Sequence, residues 1–263
     1  MNHRIKAVFA DIDGTIYSHT DGRIPDSAFK AIEKAQKAGI PVFAATGRHR
    51  MEIEDLHIEI PLDGWITMNG ALSYSHKGIF DSHPLHKNDL KALLEGLEKD
   101  PFPVQFMEED RMYINLFDED VNRSLQKIHT PYPEILDPAG CLEHDTYMVI
   151  PWVTEERWAP VSERMLHAKG TRWTDLAVDV MSSDSGKANG VLAACRMLGI
   201  DPKDTCAIGD GPNDIELFDA CGFSIAMGNS SEEVKRKADA VTDHIDNDGF
   251  AKAFADYIFQ QGG

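Results

Sequence analysis

Short apolar runs alternate with segments of helical periodicity in the first part of the chain and again in the last. The runs at 5–10, 41–46 and 204–209 predict buried strands, and the apolar positions of 26–38 recur at helical spacing. Asp26 is expected to cap that helix, and Gly39 to end it. The same patterns predict further helices over 49–57, 187–199, 213–220, 230–238 and 248–260, and further strands at 65–68 and 223–227. This alternation predicts a doubly wound α/β fold, a parallel sheet with helices on both faces.

The pattern changes after Asn69-Gly70-Ala71. Residues 72–74 and 78–80 are typical of a hairpin. The segments that follow predict helices over 87–99, 118–129 and 154–168, and strands at 104–107, 111–117, 146–150 and twice within 171–181. Strands that adjoin in sequence, with turn residues between them, predict an antiparallel sheet with helices on one face. We therefore expect an α/β core formed by 1–81 and 184–263, with a separate α+β domain, 82–183, inserted into it.

The net charge of the chain limits which classes of molecule it is expected to bind. The chain has 263 residues, with 44 acidic against 26 basic side chains and a net charge of −18, and it has no basic run. Attraction to nucleic acid or to an anionic membrane is therefore not expected. The N-terminus leads directly into the first predicted strand and no apolar run approaches membrane-spanning length, which predicts a cytoplasmic protein. The sequence carries no signal for an oligomeric state.

The cysteines and histidines of the sequence do not point to disulfides or to a metal site. The four cysteines form no C-x-x-C pair and three of them lie in apolar segments, which favours buried free thiols over disulfides or a zinc site. The closest pair of the eleven histidines, His83 and His86, brackets a proline. We expect the histidines to lie on the surface rather than to bind a metal.

Two carboxylates follow the first predicted strand. Asp11 and Asp13 stand one residue apart, directly before Gly14. Ligands of open α/β sheets bind beyond the carboxyl ends of the strands. The turn that Gly14 permits lets the two acids face different parts of a pocket, so that one can attack while the other carries a proton. An ordinary turn at a strand end is the alternative interpretation.

Three later segments also place polar residues at strand ends or helix starts. Thr46-Gly47-Arg48 follows the second strand, Lys187 opens a predicted helix, and the strand at 204–209 ends in the segment from Gly209 to Asp214. The Thr46 hydroxyl and the Gly47 amide can both point at a phosphate oxygen. A cation in the first turn of a helix opposes the macrodipole, so the position of Lys187 favours a bound anion nearby.

Together these segments resemble the four motifs of the haloacid dehalogenase (HAD) superfamily of aspartate-nucleophile phosphatases. The position of 82–183, between the threonine and lysine motifs, resembles the C2-type (IIB) cap of the Cof-like branch. The resemblance implies a Rossmann-like core with a cap domain, and hydrolysis of phosphate monoesters through an aspartyl-phosphate.

The resemblance also implies a role for each motif residue. Asp11 would be the nucleophile and Asp13 the general acid and base. The implied phosphate ligands are Thr46, Gly47, Lys187 and Asn213; the implied Mg²⁺ ligands are Asp11, Asp210 and the backbone carbonyl of Asp13; and Asp214 and Arg48 would support the site. Asp214 can equally be only a helix cap, and Arg48 either contacts substrate or braces the site. Relatives commonly have glycine after the motif lysine, whereas this chain has Ala188-Asn189-Gly190, so the reach of the lysine can differ.

The predicted function is a Mg²⁺-dependent phosphatase acting on small phosphorylated metabolites, with sugar phosphates favoured by family analogy alone. Two alternatives use the same fold. A phosphomutase or phosphotransferase would pass the phosphoryl group to a sugar hydroxyl, and a catalytically silent protein would only bind a metabolite. The presence of Asp11, Asp13, Thr46, Lys187 and Asp210 argues against the silent protein.

Overall fold

The computed structural model describes residues 5–55, 60–128 and 132–260. These residues divide into two compact units. The first unit contains the described residues up to Gly47, those from 60 to Asp81, and those from Gly186 onward. The second contains residues 48–55 and the described part of Ser82–Ser185. The segment that begins at Arg48 thus belongs to the second unit.

The strands and helices come in the following order. The strands are β1 (Ala7–Ala10), β2 (Val42–Ala45), β3 (Gly64–Thr67), β4 (Leu72–Ser75), β5 (Gly78–Ser82), β6 (Val104–Met107), β7 (Met112–Ile114), β8 (Glu134–Ile135), β9 (Met148–Pro151), β10 (Ala168–Arg172), β11 (Val178–Ser182), β12 (Thr205–Gly209), β13 (Phe223–Ala226) and β14 (Ala240–Val241). The helices are α1 (Asp26–Lys37), α2 (Arg50–Asp55), α3 (Lys87–Lys99), α4 (Glu119–Ile128), α5 (Glu155–Ser162), α6 (Lys187–Leu198), α7 (Ile215–Ala220), α8 (Glu232–Lys235) and α9 (Gly249–Ala253). In the described part of the chain, no helix combines the length and apolarity needed to cross a bilayer.

The first unit is built on an eight-stranded sheet in the order β14-β13-β12-β1-β2-β3-β4-β5. The strands from β14 to β3 run parallel to one another, and β4 runs antiparallel to β3. All four residues of β1 are buried, as are those of β2, so both faces of the central strands are covered. The predicted doubly wound parallel sheet is confirmed. Its topology brings the carboxyl ends of β12, β1 and β2 together at one edge.

Helix packing completes the core of this unit. Phe9, Phe43 and Ile66 form one hydrophobic cluster with Val191 of α6 and Leu217 of α7. Full burial of an apolar side chain of this size contributes about 1.5–3 kcal/mol. Elsewhere α1 packs on β2 and on α9. The strand ends that hold the polar residues are therefore anchored on a rigid, well-packed base.

The second unit is a six-stranded sheet in the order β10-β11-β9-β6-β7-β8. The pairs from β10 to β7 are antiparallel, as predicted, but β8 runs parallel to β7. Leucines of α3 and Trp158 of α5 cluster with apolar residues of this sheet. The cluster includes Leu90, Leu93, Leu97, Phe106, Tyr113, Val149, Val178 and Val180. This unit therefore has a hydrophobic core of its own.

Some predicted boundaries are wrong. The helix predicted over 154–168 ends at Ser162, and Ala168–Arg172 is instead β10, an edge strand paired with β11. Antiparallel pairing with β11, the next strand along the chain, overrides the helical periodicity there. Asp26 is not the cap of α1, because Pro25 occupies that position and Asp26 lies in the first turn. Predicted helical residues 56–57 and 129 lie outside the described residues.

The four cysteines are free thiols, as predicted. Cys141, Cys195 and Cys206 are buried, and Cys221 is partly buried. Burial raises the pKa of the Cys195 thiol to about 11. Such a thiol stays protonated and unreactive near neutral pH.

His49 contradicts the expectation that the histidines lie on the surface, because it is fully buried in the second unit. Its Nδ1 accepts a hydrogen bond from the Met51 amide at 3.2 Å, so its Nε2 carries the proton and donates to the Glu108 carbonyl at 2.7 Å. Burial lowers the pKa of His49. The ring is therefore held in the neutral form, and it ties the start of α2 to the end of β6.

We predict that the second unit loses stability in mild acid because of His49. In the unfolded chain this ring binds a proton near about pH 6.5, whereas the folded ring resists protonation. Stability from the neutral ring is thus present above about pH 6.5 and falls by up to about 1.4 kcal/mol per pH unit below it. Chemical denaturation between about pH 7.5 and 5.5 should show a flatter pH dependence for His49→Gln than for the native chain.

His86→Gln is the matched control for this experiment. His86 is exposed, and its Nδ1 likewise accepts a hydrogen bond from a nearby backbone amide, that of Asn88. The control should keep the native pH dependence. A native slope in His49→Gln would refute the assignment.

Candidate active site

Three neighbouring strands of the first unit carry predicted site residues at their carboxyl ends. Asp11 follows β1, Thr46 follows β2 and Asp210 follows β12. Asp11 and Thr46 are buried, and Asp210 is partly buried. Because these strands are parallel and adjacent, the three residues share one edge of the sheet.

Lys187, the first residue of α6, is completely buried at this edge. Its Nζ donates to Asp11 Oδ1 and to Asp214 Oδ1, each at 2.7 Å. Burial lowers the pKa of Lys187, but the two carboxylates raise it by more, so the net shift is upward. The lysine is therefore a fixed positive charge, and the Ala188-Asn189 sequence after it does not prevent its reach to both acids.

Carboxylates of the chain itself surround the start of α6, where the sequence had suggested only a bound anion. The backbone amide of Lys187 donates to Glu216 Oε1 at 2.8 Å. Glu216 lies in α7, and its charge at the N-terminus of α6 offsets the unfavourable position of the lysine in the macrodipole. Sequence analysis missed Glu216, since a glutamate on a helix carries no sign of which distant amide it will cap.

Asp214 has one structural role in addition to holding Lys187. Its Oδ2 accepts hydrogen bonds from the backbone amides of Asp210 and Gly211, each at 2.9 Å. It is completely buried. The cap interpretation and the supporting interpretation of Asp214 therefore coexist: one oxygen braces the turn after β12 and the other binds the lysine.

Three carboxylates crowd together at this edge, beside Lys187. Oxygen atoms of Asp11, Asp210 and Asp214 lie within 4.8 Å of one another. Burial, followed by repulsion from Asp214, raises the pKa of Asp210 to about 6. Burial also raises the pKa of Asp11 well above its usual value, although Lys187 opposes the shift. Crowded, desolvated carboxylate oxygens are the donor set that hard divalent cations prefer, so this cluster can hold a divalent metal.

Asp13 and Gly14 form the turn after β1. Asp13 is partly buried, and its Oδ1 lies 3.0 Å from Nε2 of the exposed His19. Gly14 has φ +76°, and a Cβ atom there would lie 2.3 Å from Asp210 Oδ2. Only glycine lets the two strand-end loops approach so closely. Thr15 follows, and its hydroxyl donates to Asp210 Oδ1 at 3.2 Å. Sequence analysis missed the contacts of Thr15 and His19.

Asn69 lies close to three of the predicted phosphate ligands, Thr46, Gly47 and Asn213. Its backbone amide donates to the Thr46 carbonyl at 3.0 Å, and its side-chain amide would lie 3.2 Å from a Cβ atom on Gly47. The Asn213 amide donates weakly to Asn69 Oδ1 at 3.5 Å. Met68 and Asn69 both have φ +50°, a conformation that costs on the order of 1–3 kcal/mol per residue. Such strain is typical of functional loops, and it is a signal that appears only in the folded backbone.

Arg48 belongs to the second unit. Its supporting role stays a prediction.

Comparisons with known proteins agree with this geometry. The family model of the haloacid dehalogenase-like hydrolases matches residues 8–254. A putative phosphatase of Bacillus subtilis, YkrA, is 33% identical over 94% of this chain and 96% of its own. A phosphoglycolate phosphatase of Methanopyrus kandleri is 30% identical over 93% of each chain. The solved structure of the HAD subclass IIB sugar phosphatase BT4131 is 31% identical, has a TM-score of 0.82, and matches 95% of this chain and 98% of its own.

The match extends over nearly the whole chain and includes every strand-end segment described above. The relatives of this chain from Bacillus subtilis and Methanopyrus kandleri are both named as phosphatases. This chain therefore belongs to the haloacid dehalogenase-like hydrolase family and is a hydrolase that acts on phosphate esters.

Proposed function

We propose that this phosphatase requires Mg²⁺ and hydrolyses small phosphorylated metabolites, sugar phosphates above all, through an aspartyl-phosphate on Asp11. One observation carries the proposal. The Asp11 carboxylate is buried at the end of β1, bonded to Lys187 at 2.7 Å and crowded by Asp210 and Asp214. A carboxylate held in this way has one oxygen fixed and the other left to attack.

In the first step Asp11 Oδ2 attacks the phosphorus atom while Lys187 holds Oδ1. A bond forms between the carboxylate oxygen and phosphorus, and the bond from phosphorus to the alcohol oxygen breaks. In the second step water attacks the same phosphorus, inorganic phosphate leaves and the Asp11 carboxylate is restored. The lysine charge balances the developing negative charge in both steps.

Asp13 is proposed to move the proton in both steps. It would protonate the alcohol oxygen as that oxygen leaves, and then take a proton from the attacking water. Nε2 of His19 lies 3.0 Å from Oδ1 of Asp13, the carboxylate proposed to carry the proton. The partial burial of Asp13 is consistent with a group that meets substrate at a pocket wall.

Asp11 and Asp210, with the backbone carbonyl of Asp13, are the residues proposed to hold Mg²⁺. The bound ion would offset the repulsion between an anionic nucleophile and an anionic phosphate. The charge balance supports this, because Lys187 is paired with Asp11 and Asp214, with Asp210 close beside them, in a chain of net charge −18. Asp214 is a poorer candidate, since its Oδ2 accepts two backbone amides and its Oδ1 is paired with the buried Lys187 ammonium.

The phosphate oxygens are proposed to bind the Thr46 hydroxyl, the Gly47 amide, the Asn213 amide and Lys187. Thr46 and Gly47 follow β2, beside the nucleophile strand. Arg48, which follows Gly47 in the sequence, keeps its predicted supporting role. These groups recognise phosphate and do not distinguish one alcohol from another.

The second unit, with 82–183 as its predicted extent, is proposed to be the C2-type cap that selects the alcohol. Its separate hydrophobic core supports an independent domain. Sugar phosphates are favoured because the relative BT4131 is a sugar phosphatase. The Methanopyrus kandleri relative makes 2-phosphoglycolate the second substrate to examine.

The catalytic pair is tested by leaving-group dependence. We expect Asp11→Asn to stay folded and lose turnover on every ester. Asp13→Asn should lose on the order of 10²–10⁴-fold on sugar phosphates, whose alkoxide needs a proton, and less than about tenfold on p-nitrophenyl phosphate, whose phenolate does not. Steady-state kinetics on both substrates measures this difference. Equal losses on both substrates would mean that Asp13 acts on site geometry rather than on the proton.

Metal dependence is tested by chelation. Dialysis against EDTA should remove activity, and Mg²⁺ should restore it. Ca²⁺ should restore little, because its longer and more variable coordination misplaces the nucleophile. Full activity of the metal-free protein would contradict the proposed site.

The cap proposal is tested on a chain in which Ser82–Ser185 is replaced by a short linker. Circular dichroism and a cooperative unfolding transition would first establish that the core folds. The shortened enzyme should then lose its preference among sugar phosphates and 2-phosphoglycolate but keep activity on p-nitrophenyl phosphate. Unchanged discrimination would show that the core selects the substrate.

A further inference from the structure

Asn229 lies in the loop after β13, on the far side of β12 from the nucleophile strand. Its side-chain amide makes three hydrogen bonds. Nδ2 donates to the Gly14 carbonyl at 2.8 Å and to Asp210 Oδ2 at 3.2 Å, while Oδ1 accepts from the Ile245 amide at 3.1 Å. Both N–H groups and the oxygen are therefore used, and the Ile245 amide determines which end of the carboxamide faces Asp210.

These bonds connect loops that follow three adjacent strands. Gly14 belongs to the loop after β1, Asp210 to the loop after β12, and Asn229 to the loop after β13. The Asp210 carboxylate also packs against the α-carbon of Gly14, where no Cβ atom would fit. A shift of any one loop would therefore break a contact with the other two.

The result for Asp210 is a carboxylate that is oriented from both sides. Thr15 donates to Oδ1 and Asn229 donates to Oδ2, each at 3.2 Å. Each carboxylate oxygen has two lone pairs, so each keeps one acceptor position after accepting one neutral hydrogen bond. Hydrogen bonds of this kind orient a metal ligand without occupying it.

We propose that Asn229 is a positioning residue that holds the Asp210 carboxylate ready for the divalent metal. The inference rests on the proposed function, in which Asp210 is a metal ligand. A merely structural Asn229 would tie down the loop that contains Ile245 and leave metal affinity alone. A positioning Asn229 determines that affinity, because a carboxylate that must be oriented on binding binds more weakly.

The test measures Mg²⁺ binding directly, by isothermal titration calorimetry on the full chain without substrate. Asn229→Ala should raise the Kd for Mg²⁺ by roughly ten- to hundredfold. Thr15→Val, which removes the other donor to Asp210, should weaken binding in the same direction. In kinetics on p-nitrophenyl phosphate, Asn229→Ala should lose activity at limiting Mg²⁺ and recover most of its kcat at saturating Mg²⁺, with KM for the ester little changed.

Thr242→Val is the matched control. The Thr242 hydroxyl donates to the Gly249 carbonyl at 2.7 Å, so its loss loosens the chain around Ile245 without touching Asp210. Its Kd for Mg²⁺ should stay within about twofold of the native value. If Asn229→Ala does not fold, Asn229→Ser is used instead, because it is a smaller change that keeps a polar group. Asn229→Ser should also weaken Mg²⁺ binding.

The Asp210→Asn variant distinguishes failure of the inference about Asn229 from failure of the metal assignment in the proposed function. Loss of Mg²⁺ binding in Asp210→Asn, with native binding in the Asn229 variants, would overturn the inference alone. Equal weakening in Asn229→Ala and Thr242→Val would also overturn it, since the effect would then come from the loop. Native binding in Asp210→Asn would instead overturn the metal assignment of the proposed function.

Discussion

The buried ammonium of Lys187 is the interaction on which the rest of the site depends. Removing such a charge from water costs several kcal/mol unless partners compensate for it. Asp11 and Asp214 do so at 2.7 Å each, and Glu216 accepts the backbone amide of the same residue. The start of α6 is thereby joined to the end of β1 and to the turn after β12. The same contacts that satisfy the lysine determine where the nucleophile lies.

The site is nevertheless left with an excess of negative charge. Burial, together with repulsion from Asp214, raises the pKa values of Asp11 and Asp210, which means that the folded chain holds these carboxylates at a cost. A protein selected for stability alone would not gather them here. A divalent cation and a transferred phosphoryl group both gain from the arrangement, and functional sites are where such costs are commonly retained.

Precision at this edge comes from the backbone as much as from side chains. Gly14 has a positive φ and no Cβ atom, so the Asp210 carboxylate can lie against it. Met68 and Asn69 are held at φ +50°, and Asn69 lies beside Gly47. The rigid parallel sheet fixes the strand ends, and the loops then supply the polar groups. Asn229 joins three of these loops with one amide.

The sequence by itself determined the alternation of strands and helices and the strand-end positions of Asp11, Thr46 and Asp210, because periodicity and turn residues are local properties. Only the tertiary structure decided which distant groups meet. Asn229 bonds Gly14 across 215 positions, and Lys187 bonds Asp214 across 27. The burial of His49, whose ring bonds the carbonyl of Glu108 59 positions away, was missed for the same reason. A contact between separated segments depends on how the elements pack, and no local pattern of residues records it.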